Sequence, residues 1–127
     1  MEHQSLSIAI IGLGRIGSAF LKEMLRKKAQ GITLACVAEV GDTPGKAQAV
    51  AAGIPVVTLD DMVARGTGLD VIFDLSGLPV VRNELRQKLA SVENRHTIIA
   101  SETIARLIWS LISEEALPVI EGRKTGY

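Results

Sequence analysis

At 127 residues the chain has the size of one compact domain, with no room for a second that carries its own core. Hydrophobic residues make up 47% and charged residues 22%, so it has the apolar content to fold and disorder over most of its length is excluded. The 14 Lys and Arg balance the 14 Asp and Glu, and aromatic residues are only 3%, which argues against a nucleic-acid groove, a stacking platform or attraction to an anionic membrane.

The first predicted strand, Leu6–Ile11, is a short apolar, β-branched run that stops at a glycine cluster, as a buried parallel strand feeding a turn should. From Arg15 to Gln30 the period changes: Ile16, Phe20, Met24 and Leu25 recur at helical spacing, and Gly31 closes the helix. Ile32 to Val40 reads as a second buried strand ending in Glu39 and Val40. Asp42-Thr43-Pro44 then supplies a cap and an early proline for a short helix from Gly45 to Ala52, ended by Gly53. Ile54–Val57 is a short third strand, placed near the sheet edge by Pro55. Thr58 with Asp61 opens a helix through Ala64 in the manner of a capping box. Leu69–Leu75 is the fourth strand, Pro79 to Ala90 a helix, Thr97 to Ala100 the fifth strand and Thr103 to Glu115 the last helix. Strict alternation with short connections predicts an α/β fold: a doubly wound, Rossmann-type parallel sheet of about five strands with helices on both faces. Residues 1–115 are the expected domain, and 116–127, which lose all periodicity, a tail or linker.

Gly12-Leu13-Gly14-Arg15-Ile16-Gly17 matches G-x-G-x-x-G. Alone this is weak, but a strand precedes it, a helix follows it, and Glu39 stands 22 positions after Gly17 at the end of the next strand. Gly12 permits the tight turn, Gly14 lets backbone approach a diphosphate, and Gly17 lets the helix pack close to the strand. Amides at the helix start, Arg15 and Ile16 among them, then attract phosphate. Glu39 accepts from a ribose diol and repels a 2′-phosphate, which favours NAD over NADP. The alternative is that the glycines serve only a turn and Glu39 is a solvated strand end. Arg15 fits a contact to adenine or phosphate, or a solvated first-turn position.

Residues 8–17, 33–39, 53–56 and Leu69-Asp70-Val71-Ile72-Phe73-Asp74-Leu75-Ser76-Gly77 together resemble the coenzyme domain shared by homoserine dehydrogenases, aspartate dehydrogenases and the glucose-fructose oxidoreductase family. The resemblance covers roughly residues 5 to 115. It implies that Leu75, Ser76 and Gly77 pass beside the ribose and nicotinamide of the coenzyme; for Ser76 the alternative is a turn residue bonded to its own backbone. Those enzymes also carry a second domain for substrate, and several place a lysine just after the fifth strand. Here that stretch reads Ala100-Ser101-Glu102-Thr103, with no lysine between Lys88 and Lys124, so the acid-base group is missing and no catalytic residue is assigned. His3, His96 and the single Cys36 have no metal-ligand spacing, and Cys36 reads as a buried thiol.

In the last helix Ile104, Leu107, Ile108, Leu111 and Ile112 form a stripe, and Ala105 and Trp109 widen the apolar arc beyond what one sheet face covers. Trp109 and its neighbours are therefore expected against a second copy, as a homo-oligomer, or against an appended domain. The basic Arg26-Lys27-Lys28 run reads as a solvated helix end. No run approaches the ~20 apolar residues of a membrane span, and the acidic N-terminus is unlike a secretory signal, so a cytoplasmic setting is expected. Three functions fit: the coenzyme-binding module of an NAD-dependent oxidoreductase, a regulatory dinucleotide or redox-sensing module attached to a signalling or transport partner, or an interaction domain that keeps only the fold.

Overall fold

The structure, a computed structural model, describes residues 5–112. His3, the last residues of the predicted final helix and the predicted tail lie outside the described residues. The elements in chain order are β1 (Leu6–Ile11), α1 (Arg15–Arg26), β2 (Ile32–Ala38), α2 (Pro44–Ala51), α3 (Leu59–Ala64), β3 (Val71–Asp74), α4 (Pro79–Ser91), β4 (Ile98–Ala100) and α5 (Glu102–Ile112), with 3₁₀ turns at Lys28–Gln30 and Gly66–Gly68.

The four strands form one parallel sheet in the order β2-β1-β3-β4. Side chains alternate between its faces except at a bulge in β2, where the register against β1 shifts between Ile8 and Ala9 and leaves Leu34 and Val37 on one face; both faces are apolar, as a parallel sheet between helix layers requires. On one side Ile8, Ile10, Leu34, Val37 and Phe73 meet Phe20, Leu21 and Met24 of α1, Ala49 of α2 and Ala105 and Trp109 of α5. On the other, Ala9, Ile11, Cys36 and Ile72 meet Met62 and Val63 of α3 and Leu85 and Leu89 of α4. Phe20 and Phe73 pack as a tilted pair with centroids 4.7 Å apart. Each fully buried Val, Leu, Ile, Phe or Met side chain contributes about 1.5–3 kcal/mol.

The predicted third strand survives as one parallel bridge, Val37 with Val56, on the outer side of β2. Val37 donates to the Pro55 carbonyl at 3.0 Å and Val57 donates to the Val37 carbonyl at 2.8 Å; Pro55 itself has no N–H to extend the ladder. The first helix stops at Arg26 rather than Gln30, because the chain tightens into the 3₁₀ turn that Gly31 closes at φ +90°. Residue 39 lies past the end of β2, its side chain engaged elsewhere, as described below.

The interface expectation for Trp109 needs correction. It is only 7% exposed within one chain, because Ala105 and Trp109, four apart, are buried against the sheet, with Ile108 and Ile112 packed partly buried beside them. The apolar residues that α5 leaves exposed are Ile104, Leu107 and Leu111. No helix among the described residues is long and apolar enough to cross a membrane.

Candidate functional site

The chain leaves β1 for β2 on one side and returns to β3 on the other, so a crevice opens above the C-terminal ends of these strands, where doubly wound sheets hold ligands. A cavity of about 710 Å³ lies there, within the ~300–1,000 Å³ usual for small-molecule sites. It contacts the glycine turn, the tip of β2, the start of α3, the β3–α4 loop and one side of α4.

The three glycines have three different surroundings. At Gly12, φ is +89° and a Cβ would lie 2.7 Å from the backbone N and Cα of Ser76, so only glycine lets the β3–α4 loop sit on the turn. At Gly17 a Cβ would fall 1.8 Å from the Gly12 carbonyl oxygen, which fixes the close approach of α1 to the turn. At Gly14 a Cβ would meet nothing within 4 Å. The protein itself therefore does not require glycine at position 14, which borders the cavity.

Gly14 is also the N-cap of α1, with no side chain capping the helix. The amides of Arg15, Ile16 and Gly17 come before the first intrahelical bond, from Ser18 N–H to the Gly14 carbonyl at 2.8 Å. The contrast with α2 and α3 is direct: Thr43 Oγ1 accepts from Lys46 N–H and Thr58 Oγ1 accepts from Asp61 N–H, each at 3.1 Å. The start of α1 thus carries a partial positive charge with no side-chain cap and no acidic residue in its own first turn.

On the flank toward β2, the Glu39 carboxylate lines the cavity, with Oε1 accepting from Leu13 N–H at 2.7 Å and Oε2 from Gly41 N–H at 3.0 Å. On the flank toward β3, Ser76 donates its hydroxyl to Asp74 Oδ1 at 2.7 Å, and its own N–H reaches the same oxygen at 3.1 Å. The other Asp74 oxygen accepts from Nε of Arg82 at 2.9 Å. Along the outer rim, Lys88 of α4 bridges to Asp60 of α3 at 2.6 Å, with Glu84 at 3.8 Å; the Asp60 carboxylate raises the Lys88 pKa above its ordinary value.

Of the residues singled out from sequence, Gly12, Gly14, Arg15, Ile16, Glu39, Leu75 and Ser76 border the cavity. Gly17 is a packing glycine behind it, and Gly77, at φ +75°, turns the β3–α4 loop outside it. His96 is far from the crevice in the fold: it pairs with Asp70 at 2.7 Å at the opposite, N-terminal end of the sheet. No group of three or more His, Cys, Asp or Glu that could hold a metal occurs among the described residues.

Sequence reasoning missed three features. Gly45 of α2 is pressed against the turn, where a Cβ would lie 2.1 Å from Ser18 Oγ and 2.9 Å from the Leu13 carbonyl oxygen. The Asp74–Arg82 pair is buried beneath the β3–α4 loop, with Asp74 wholly inaccessible. The α3 start also forms a cavity wall through Thr58, Asp60 and Asp61. The local pattern marks only the turn that Asp74 makes with Ser76, since an aspartate two before a serine is a common turn pattern, and not the pairing with Arg82.

No family model matches the chain, and no curated protein matches it in sequence. Solved structures do match in shape. A homoserine dehydrogenase from S. aureus superposes with a TM-score of 0.57 at 17% identity over 77% of this chain and 26% of its own. One from Thiobacillus denitrificans gives 0.52 at 22% identity, over 76% and 23%. A scyllo-inositol dehydrogenase from Lactobacillus casei gives 0.54 at 19% identity, over 87% and 33%. The likeness is one of fold: this chain has the Rossmann-type fold found in these dehydrogenases and spans a third or less of their length.

Proposed function

We propose that this chain is the dinucleotide-binding module of a dehydrogenase-like oxidoreductase, that its ligand is NAD(H), and that the substrate half of the active site comes from outside these residues. The observation that carries this reading is the uncapped start of α1 at Gly14, open to a 710 Å³ crevice that Glu39 bounds on one flank. A diphosphate over Gly14, Arg15 and Ile16 meets the amides and the helix dipole. Glu39 already has two amides in place and keeps further lone pairs for a ribose diol. Its charge disfavours a 2′-phosphate, which selects NAD(H) over NADP(H). When bound, such a coenzyme supplies the hydride donor or acceptor. Arg15, exposed at the mouth, is free to meet phosphate or adenine. Thermal melting tests the reading: NADH should raise the Tm in proportion to RT ln(1 + [L]/Kd), and NADPH should do so much less.

A regulatory dinucleotide module is the second reading, favoured by one specific observation. The coenzyme domains that this sequence resembles in several cases place an acid-base lysine just after the fifth strand; this chain has no lysine between Lys88 and Lys124, and Glu102 in that stretch is wholly buried at the start of α5 and does not border the cavity. A sensor or kinase domain in the same reading frame supports the regulatory reading, and a mixed α+β catalytic domain supports the enzymatic one.

Self-association is assigned to the outer side of α5, through Ile104, Leu107 and Leu111, which are 42%, 55% and 76% exposed. A strictly monomeric species in light scattering at high micromolar concentration contradicts this assignment.

A further inference from the structure

We propose that Asp74, anchored by Arg82, is a positioning residue that holds Ser76 as a hydrogen-bond acceptor for the nicotinamide-ribose half of the dinucleotide. This deepens the nucleotide reading of the crevice and rests on it. The strand order β2-β1-β3 sets Glu39 on one flank, the glycine turn at the centre and Ser76 on the other flank. A ligand with one ribose at Glu39 and its diphosphate over the turn must run its second nucleoside across the tip of β3.

The chemistry at that tip is fixed by a buried charge. Asp74 ends β3 at 0% exposure, and Arg82, one α4 turn in from the loop, is 6% exposed. Replacing a buried ion pair by apolar side chains is often neutral or stabilising, so such a pair is weak as a device for stability and better suited to fixing a geometry. Here it fixes Ser76. The carboxylate takes the Ser76 N–H and the Ser76 hydroxyl proton on Oδ1, while Arg82 Nε–H occupies Oδ2. With its proton committed to Asp74, the Ser76 oxygen can only accept. One lone pair meets Leu78 N–H at 3.2 Å, and the other remains for a donor in the cavity that Ser76 lines. Ribose hydroxyls and the nicotinamide carboxamide both carry such donors. Because the Ser76 backbone also lies where a Gly12 Cβ would be, a displaced loop has no slack against the turn.

The test compares NADH with ADP, which lacks the nicotinamide-ribose half, by calorimetric titration of wild type, Ser76→Ala and Asp74→Asn. The expected result is a split: ADP binds all three within about twofold, while both variants bind NADH about tenfold more weakly, the scale of one lost hydrogen bond. Arg82→Lys, which keeps the charge but not the Nε–H that meets Oδ2, takes the place of Asp74→Asn if that variant does not fold. Unchanged NADH affinity in the folded variants overturns the proposal, and so does an equal loss for ADP and NADH, which would mark a general structural role. Wild-type protein that binds neither ligand overturns the nucleotide reading itself.

Discussion

Oε1 of Glu39 accepts the amide N–H of Leu13 at 2.7 Å, so the acid at the tip of β2 is tied to the middle of the glycine turn on β1. The carboxylate assigned to the ribose is thus held by the same loop assigned to the diphosphate. Both halves of the nucleotide reading depend on one local arrangement, and a single side chain reports on it.

Glu39→Gln keeps the shape of that side chain and removes its charge. Hydrogen bonds to charged groups contribute about 1.5–3 kcal/mol, so NADH affinity should fall by about tenfold or more. NADPH affinity should fall less or rise, because the repulsion of a 2′-phosphate is gone. Calorimetric titration of both ligands gives the ratio; an unchanged preference contradicts the role assigned to Glu39.

Gly14 and Gly17 should separate binding from folding. Alanine at Gly14 meets only open space and its φ of −76° suits any residue, so Gly14→Ala should keep the wild-type Tm and lose NADH binding. Gly17→Ala drives a methyl group to within 1.8 Å of the Gly12 carbonyl oxygen. Overpacking of this kind costs about 1–3 kcal/mol or more, which lowers the Tm by several degrees. Melting curves with and without NADH distinguish the two cases.

Acid stability should depend on Asp70, at the other end of the sheet. The Ser7 N–H, at 2.8 Å, and then the His96 ring, at 2.7 Å, hold its pKa below the usual carboxylate value. A pKa lowered by folding contributes stability that is present above the ordinary carboxylate value and is lost as the pH falls through the folded one. Urea midpoints between about pH 5 and about pH 2 should therefore fall more steeply for wild type than for Asp70→Asn. Parallel curves contradict this coupling.

Cys36 is buried in the core on the α3 and α4 side, and that burial raises its thiol pKa, with Arg65 opposing the shift. It should be inert to a thiol-specific disulfide reagent in the native protein and react fully in urea. Rapid native labelling contradicts the packing described here.

Much of this architecture could be read from the residues. The run Leu6–Ile11 into a glycine cluster, and the change to helical spacing at Arg15, carry their own signals because a buried parallel strand is apolar on both faces and its helix on one stripe only. Pro55 hinted at an edge, but a single missing N–H decided that Ile54–Val57 makes a bridge rather than a strand. Trp109 misled because an apolar arc on a helix does not say which part of it faces the sheet. Asp74 and Arg82 were illegible as a pair, since their contact depends on how α4 leaves the loop. The crowding at Gly45 also depends on two helices meeting, which no local pattern records.

If the amides at the start of α1 hold the diphosphate of a dinucleotide, amide-resolved NMR of isotopically labelled protein titrated with NADH reads that contact at each residue. Saturable shifts concentrated on Gly12, Gly14, Arg15 and Ile16, with a second set at Glu39 and Ser76, are the predicted result. A folded protein whose glycine-turn amides do not move at millimolar NADH would contradict it.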